Sequence, residues 1–145
     1  GHVRILYHEN LSEKIMKKYL RIILLLISVA TLFSGAMQAI APAYVLNFVG
    51  AAIDANTKQL FATIGMFMFF FGGMMIHALY HEDDNRVVVI WSAFQKLGAS
   101  VAVAIGILKG IFLPVAGMVA AFDLFACVLF LVYLQSLKSN KSLTL

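Results

Sequence analysis

The stretch Val87–Leu137, VVVIWSAFQKLGASVAVAIGILKGIFLPVAGMVAAFDLFACVLFLVYLQSL, is almost wholly apolar and is interrupted at Lys109-Gly110. A helix needs about 20 apolar residues to cross a hydrocarbon core. The stretch therefore predicts two antiparallel spans, 87–108 and 111–137, joined by a tight turn. Each arm carries one charge near its middle, Lys96 before the turn and Asp123 after it. The two lie about equally far from the turn, and a shared rise of about 1.5 Å per residue brings them to one depth. A charge at mid-membrane costs at least about 2.5 to 3.5 kcal/mol. Lys96 and Asp123 are thus expected to face inward, either as a buried ion pair or as a ligand, proton or ion site.

Composition agrees with a membrane-embedded chain. Of 145 residues, 62% are apolar and 12% charged, and the mean hydropathy is +0.92, far outside the soluble range. A net charge of +4 does not point to nucleic acid, because the basic residues flank apolar spans and form no stripe with interleaved aromatics. The single cysteine, Cys127, excludes an internal disulfide, a redox pair and a cysteine zinc cluster.

Gly1-His2 reads as a tag remnant, and Met16-Lys17-Lys18-Tyr19-Leu20-Arg21 as a translation start, so residues 1–15 are either an addition or a genuine leader. Asn10-Leu11-Ser12-Glu13 has capping-box form, and Leu11, Ile15, Tyr19 and Ile22 follow at helical spacing. This predicts a short interfacial helix within 1–18 running into span one, 19–41. Ser34-Gly35-Ala36 imitates a signal-peptide cleavage site, and a retained first span is the expectation because the apolar run is long for a signal. Pro42 ends that helix. Over 43–57, Tyr44, Val45, Phe48, Val49, Ala52 and Ile53 share one helical face. The segment is too short to span, so an amphipathic element in the outer interface is expected. Span two is 60–80, a polar loop follows to Arg86, and 138–145 is a polar tail. The fold class is an all-α, integral membrane four-helix bundle in one domain.

Four spans put both termini on one side. Arg4, Lys14, Lys17, Lys18, Arg21, Arg86, Lys138 and Lys141 share that side, against Lys58 and Lys109 opposite. Both termini are therefore expected in the cytoplasm, at a cell membrane that the bacterial start motif makes an inner membrane. Tyr19, Tyr80, Trp91 and Tyr133 are expected at the same boundary. Gly98, Ala102, Gly106 and Gly110 recur every fourth position, as do Thr31, Gly35 and Ala39, while Gly117 and Ala121 mark span four. Such small faces predict tight helix packing, or contacts to a homo-oligomer or a membrane-protein partner besides the lipid bilayer.

Gln38, Gln95 and Ser100 could extend a polar interior around Lys96, although Gln95, about 100° round the helix, cannot meet the same partner. His77 and His81 stand at i, i+4 with Glu82 and Asp83 beyond. Without a third ligand of fixed geometry they read as a boundary pair, so no metal and no cofactor is expected. No phosphate-binding glycine loop, nucleophile elbow or catalytic triad is present. In size, in the Gly35-to-Pro42 end of span one, and in Trp91 followed by Gln95-Lys96-Leu97-Gly98, the chain resembles small four-helix bacterial membrane proteins of the DoxX-like type and neighbouring uncharacterised families. That resemblance implies a partner of a membrane redox system and assigns no catalytic residue.

Three functions stay open: binding or transport of a small amphiphile, proton or ion at Lys96 and Asp123; an enzyme or redox subunit acting on a lipid or quinone; and an assembly subunit in which the pair is only a helix lock.

Overall fold

The structure, a computed structural model, describes residues 2–81 and 85–139. Five helices follow in order: α1 (His2–Ile40), α2 (Pro42–Val49), α3 (Ala55–Tyr80), α4 (Arg86–Leu108) and α5 (Gly117–Ser139), with a 3-10 turn at Pro114–Ala116 before α5. Among the described residues there is no strand. Four helical stretches are long and apolar enough to cross a bilayer: Leu11–Ile40, Ala55–Tyr80, Arg86–Leu108 and Pro114–Leu137. Only 17% to 33% of each apolar window is buried within the protein, so most of the large apolar side chains, Leu26, Phe33, Phe67 and Phe70 among them, point outward.

No separate interfacial helix forms. α1 runs straight through Asn10, because nothing from His2 to Ser34 is a proline or glycine that would stop it. Pro42 ends α1 and at once begins α2, whose first turn has no use for the missing N–H. α2 closes at Gly50, left-handed at φ 71°. There the Gly50 and Ala51 amides return to the Asn47 and Leu46 carbonyls, a Schellman closure. The amphipathic face thus ends early: α2 buries Leu46 and Val49, while Tyr44, Phe48 and Ile53 are exposed. Asp54 caps α3 by accepting from the Thr57 amide at 2.9 Å and hydroxyl at 2.6 Å, which starts that helix ahead of the expected residue 60.

The α4–α5 connection is wider than the two-residue turn expected. Lys109-Gly110 does turn the chain, with Gly110 at φ 69° and the Gly110 and Ile111 amides bonded to the Ile107 and Gly106 carbonyls. Ile111 to Leu113 then run on outside a helix, because Pro114 holds the chain in a 3-10 turn until Gly117. The Leu113 amide donates to the Val49 carbonyl at 2.8 Å, tying this connection to the end of α2.

The bundle is two hairpins, not four equally packed helices. α1 and α3 approach backbone to backbone: a Cβ on Gly72 would lie 2.7 Å from the Leu32 nitrogen and 2.8 Å from the Ser28 oxygen. α4 and α5 form the second hairpin, and the two meet along a looser seam. The four-residue ridge on α4 is not a helix contact. Gly98 faces open space, Gly106 is covered by the Phe112 ring of its own turn, and Ala102 and Ala121 are exposed. At the terminal end of the seam all four long helices contribute to a core of Leu20, Leu24, Ile27, Met75, Leu79, Val89, Ala93, Ala126, Phe130 and Tyr133. Tyr133, 4% exposed, belongs to that core and not to a boundary belt, whereas Tyr19, Tyr80 and Trp91 are outward. Arg21 donates to the Leu79 carbonyl and Asn85 to the Ala78 carbonyl at 3.0 Å, satisfying the last turn of α3. The rest of the expected loop, residues 82–84, and residues 140–145 of the tail lie outside the described residues.

Candidate functional site

On α4 the inward stripe is Val89, Ser92, Ala93, Lys96 and Ser100, spacings of three and four that hold one face toward a partner helix. On α5 the matching stripe is Asp123, Ala126, Cys127, Phe130 and Tyr133. Where the stripes meet, the Lys96 Nζ donates to Asp123 Oδ1 at 2.7 Å, with both side chains 3% exposed. The short, charge-assisted contact is the strong kind. One turn along, the Ser100 hydroxyl donates to the Ala120 carbonyl at 2.8 Å, a second tie between the same helices. The Phe122 ring centroid lies 5.3 Å from Nζ, within cation–π range.

Lys96 also forms part of the wall of a small cavity in the seam, lined by Ser28, Thr31, Met75, Ser92, Gln95 and Phe130 among others. Its volume, about 10 Å³ for the centre of a water-sized sphere, is room for one water. Ser28 and Thr31 donate to the Leu24 and Ile27 carbonyls of their own helix, at 2.7 and 2.9 Å. The Ser92 hydroxyl is different: it is buried with no hydrogen-bond partner. Half-buried Gln95 reaches the same cavity as Lys96, even though only Lys96 meets Asp123. The surface these residues present to the cavity is apolar, and an apolar space of this size stays dry.

Gln38 is not part of this site. It lines a second cavity at the other end of the seam, with Val45, Val49, Phe61, Val103, Phe112, Ala116 and Val119. His77 is exposed on the last turn of α3, its ring 4.5 Å from that of His81, away from the ion pair. Among the described residues no group of three His, Cys, Asp or Glu is placed to hold a metal; Glu82 and Asp83 lie outside them. Asp54 is held below its ordinary 3.8 by the Thr57 hydroxyl and then by the Thr57 amide, and it serves α3 as a cap.

Comparison of the chain with protein-family models, with curated proteins and with solved structures returns no match. The site is therefore read from its own geometry. Sequence reasoning passed over Ser92, although its position four residues before Lys96 puts it on the same helical face. It also passed over Val103 and Phe112, which have no polar atom to draw notice and become a wall only when α2 and the connection fold over them.

Proposed function

We propose that the chain is a multi-pass membrane protein, both termini cytoplasmic at a bacterial inner membrane, that binds a proton or small ion through Lys96 and Asp123. The outward apolar faces of the four long helices support the membrane setting, and the bias of Lys and Arg toward the terminal side supports the orientation. The observation that carries the site is the pair itself, two opposite charges 2.7 Å apart and both 3% exposed near the middle of two long apolar helices, where ionised groups usually mark an ion or proton site. The space beside Lys96 is too small for an amphiphile, which leaves a proton or a small ion.

A second reading, the pair as a helix lock, is favoured by its near-complete burial and by the parallel Ser100–Ala120 bond. The enzyme reading has less support: exposed His77 stands apart from the pair, and the polar neighbours of Lys96 are Ser92 and Gln95.

Proteoliposomes carrying an internal pH dye separate the first two readings. Under an imposed gradient, the native protein is expected to dissipate pH faster than protein-free vesicles, and Lys96→Met with Asp123→Leu is expected to be folded but silent. Dissipation by that double variant at the native rate, or by neither protein, supports the lock.

A further inference from the structure

His77 and His81 stand four residues apart at the end of α3, and both side chains are exposed. Residues at that spacing share a helical face. His81 keeps the register although it closes the helix: its amide still donates to the His77 carbonyl at 3.2 Å, and its φ of −84° is near the helical value. Its extended ψ of 142° turns only the chain that follows, so the His81 Cβ leaves the backbone where a helical residue's would. The two imidazole rings end with their centres 4.5 Å apart and their planes inclined by 48°.

That spacing fits a shared metal ion. With a metal–nitrogen bond of about 2.1 Å and a ring centre about 1.1 Å behind each nitrogen, two imidazoles in adjacent coordination positions, about 90 to 110° apart, have centres about 4.5 to 5.2 Å apart. The nitrogens need no backbone movement to reach the ion. Rotation about χ2 spins a histidine ring about its Cβ–Cγ bond, which leaves the ring centre nearly in place, and that torsion is broad and soft. Two imidazoles at i, i+4 are also the pair with which a helix binds zinc. Among the described residues no third His, Cys, Asp or Glu joins them, so this is not a closed structural site, which takes four protein ligands. Water fills the remaining positions, and the ion exchanges.

We propose that His77 and His81 form an exchangeable site for one divalent transition-metal ion of the Cu²⁺, Ni²⁺ and Zn²⁺ class, held by two imidazole nitrogens at the last turn of α3. Imidazole suits those ions, whereas Mg²⁺ and Ca²⁺ take oxygen ligands. The Arg21 guanidinium, which donates to the Leu79 carbonyl in the same turn, adds positive charge that opposes ions held by charge alone. A bound ion cross-links residues 77 and 81 and so slows opening of that turn. The site goes beyond the proton reading and is independent of Lys96 and Asp123.

The test uses the full chain in phosphatidylcholine nanodiscs with Cu²⁺ as the probe, in a His2→Gln, His8→Gln and Cys127→Ser background that removes the other two histidines and the thiol. Calorimetry is expected to show one ion per chain, and the electron paramagnetic resonance spectrum to show splitting from two nitrogens. Disturbing the groups that merely support a metal ligand already costs about 10–100-fold in affinity. His77→Gln or His81→Gln, each of which removes a ligand outright, should therefore weaken binding at least about tenfold. His77→Gln with Tyr80→His keeps two histidines at exposed positions but on neighbouring residues, which do not face each other, and should bind no better than one histidine. Ni²⁺ should bind less tightly than Cu²⁺, and Mg²⁺ or Ca²⁺ in roughly hundredfold excess should displace neither. Melting temperature confirms that each variant is folded. Lys96→Met with Asp123→Leu should leave Cu²⁺ binding unchanged, so failure of the proton reading would not count against this one. No Cu²⁺ binding by the background chain, affinity unchanged in both single variants, background affinity in the Tyr80→His variant, or displacement by Mg²⁺ or Ca²⁺ overturns the inference.

Discussion

Gly35 of α1 and Gly65 of α3 exclude a side chain from each other reciprocally: a Cβ on Gly35 would lie 2.6 Å from the Gly65 carbonyl oxygen, and a Cβ on Gly65 would lie 2.8 Å from that of Gly35. At Gly35 the obstacles are all backbone, and at Gly65 they are the Gln38 Cβ and the Ala39 and Gly35 backbone; none of these can rotate away, so the two positions set the separation of the first hairpin. In lipid, where apolar side chains gain little by leaving the solvent, such close approach supplies much of the helix–helix attraction.

Gly35→Ala and Gly65→Ala are each expected to destabilise the protein by about 1 to 3 kcal/mol or more, as overpacking against a rigid partner does. Gly73→Ala, where the nearest atom is a Leu32 methyl at 3.9 Å, and Gly98→Ala, with nothing within 4 Å, should be neutral or slightly stabilising through helix propensity. Melting temperatures in one detergent compare the four. Equal losses at Gly35 and Gly98 would contradict the hairpin assignment.

For the ion pair, removing one partner leaves an uncompensated buried charge. Lys96→Met or Asp123→Leu alone should cost on the order of 3 to 5 kcal/mol, and the double change should recover much of it, since apolar replacement of a buried pair is often neutral. A thermal or chemical double-mutant cycle measures the coupling. Additive losses would mean that the 2.7 Å contact does not form in the membrane.

The two left-handed glycines separate strain from collision. Gly110 has nothing near its absent Cβ, so Gly110→Ala should cost only the positive-φ penalty, about 1 to 2 kcal/mol. At Gly50 an added Cβ would also strike the Leu113 side chain, so Gly50→Ala should cost more and loosen α2. Proteolysis of the 50–54 segment, faster in Gly50→Ala than in Gly110→Ala, is the readout.

Asp54 gives a pH dependence with a defined sign. Its carboxyl is held below the ordinary 3.8 in the folded state, so the cap's contribution is present above that value and fades as pH falls through the lower, folded one. The protection factor of the Thr57 amide, its exchange relative to an unstructured amide at the same pH, should therefore fall in acid. Thr57→Ala removes the hydroxyl that contributes most to the shift, so the loss should begin at higher pH in that variant.

Orientation is open to labelling in a Cys127→Ser background. Lys109→Cys should react with an impermeant maleimide from the outside of intact cells and His81→Cys only in inverted vesicles; the reverse pattern would turn the topology over.

Much of this was legible along the chain because lipid-facing helices are written as long apolar runs, whatever their neighbours. The boundaries of α4 came within a residue, and Lys96 and Asp123 could be set at one depth from helical rise alone. Lys96 and Asp123 meet although the connection is longer than expected, and a lysine stem can reach several ångströms along its helix. The small-residue ridge misled for a geometric reason. A strict four-residue step drifts by about 40° at each repeat at 100° per residue, so Gly98, Ala102, Gly106 and Gly110 wind off any one face. Ser28, Leu32, Gly35 and Ala39 alternate steps of four and three, and the members that meet α3 stay on it.

By itself, then, the amino-acid order determined that four helices are long and apolar enough to cross a bilayer, that Pro42 breaks the first, and that two opposite charges share a level, since all three depend on local composition and fixed helical rise. Only the tertiary structure decided which faces touch. It paired α1 with α3 through glycine backbones, turned Ser92 into an unpartnered hydroxyl, and closed α2 over Gln38. Those outcomes depend on how far apart two hairpins stand, and that distance is set by collisions between residues remote in sequence.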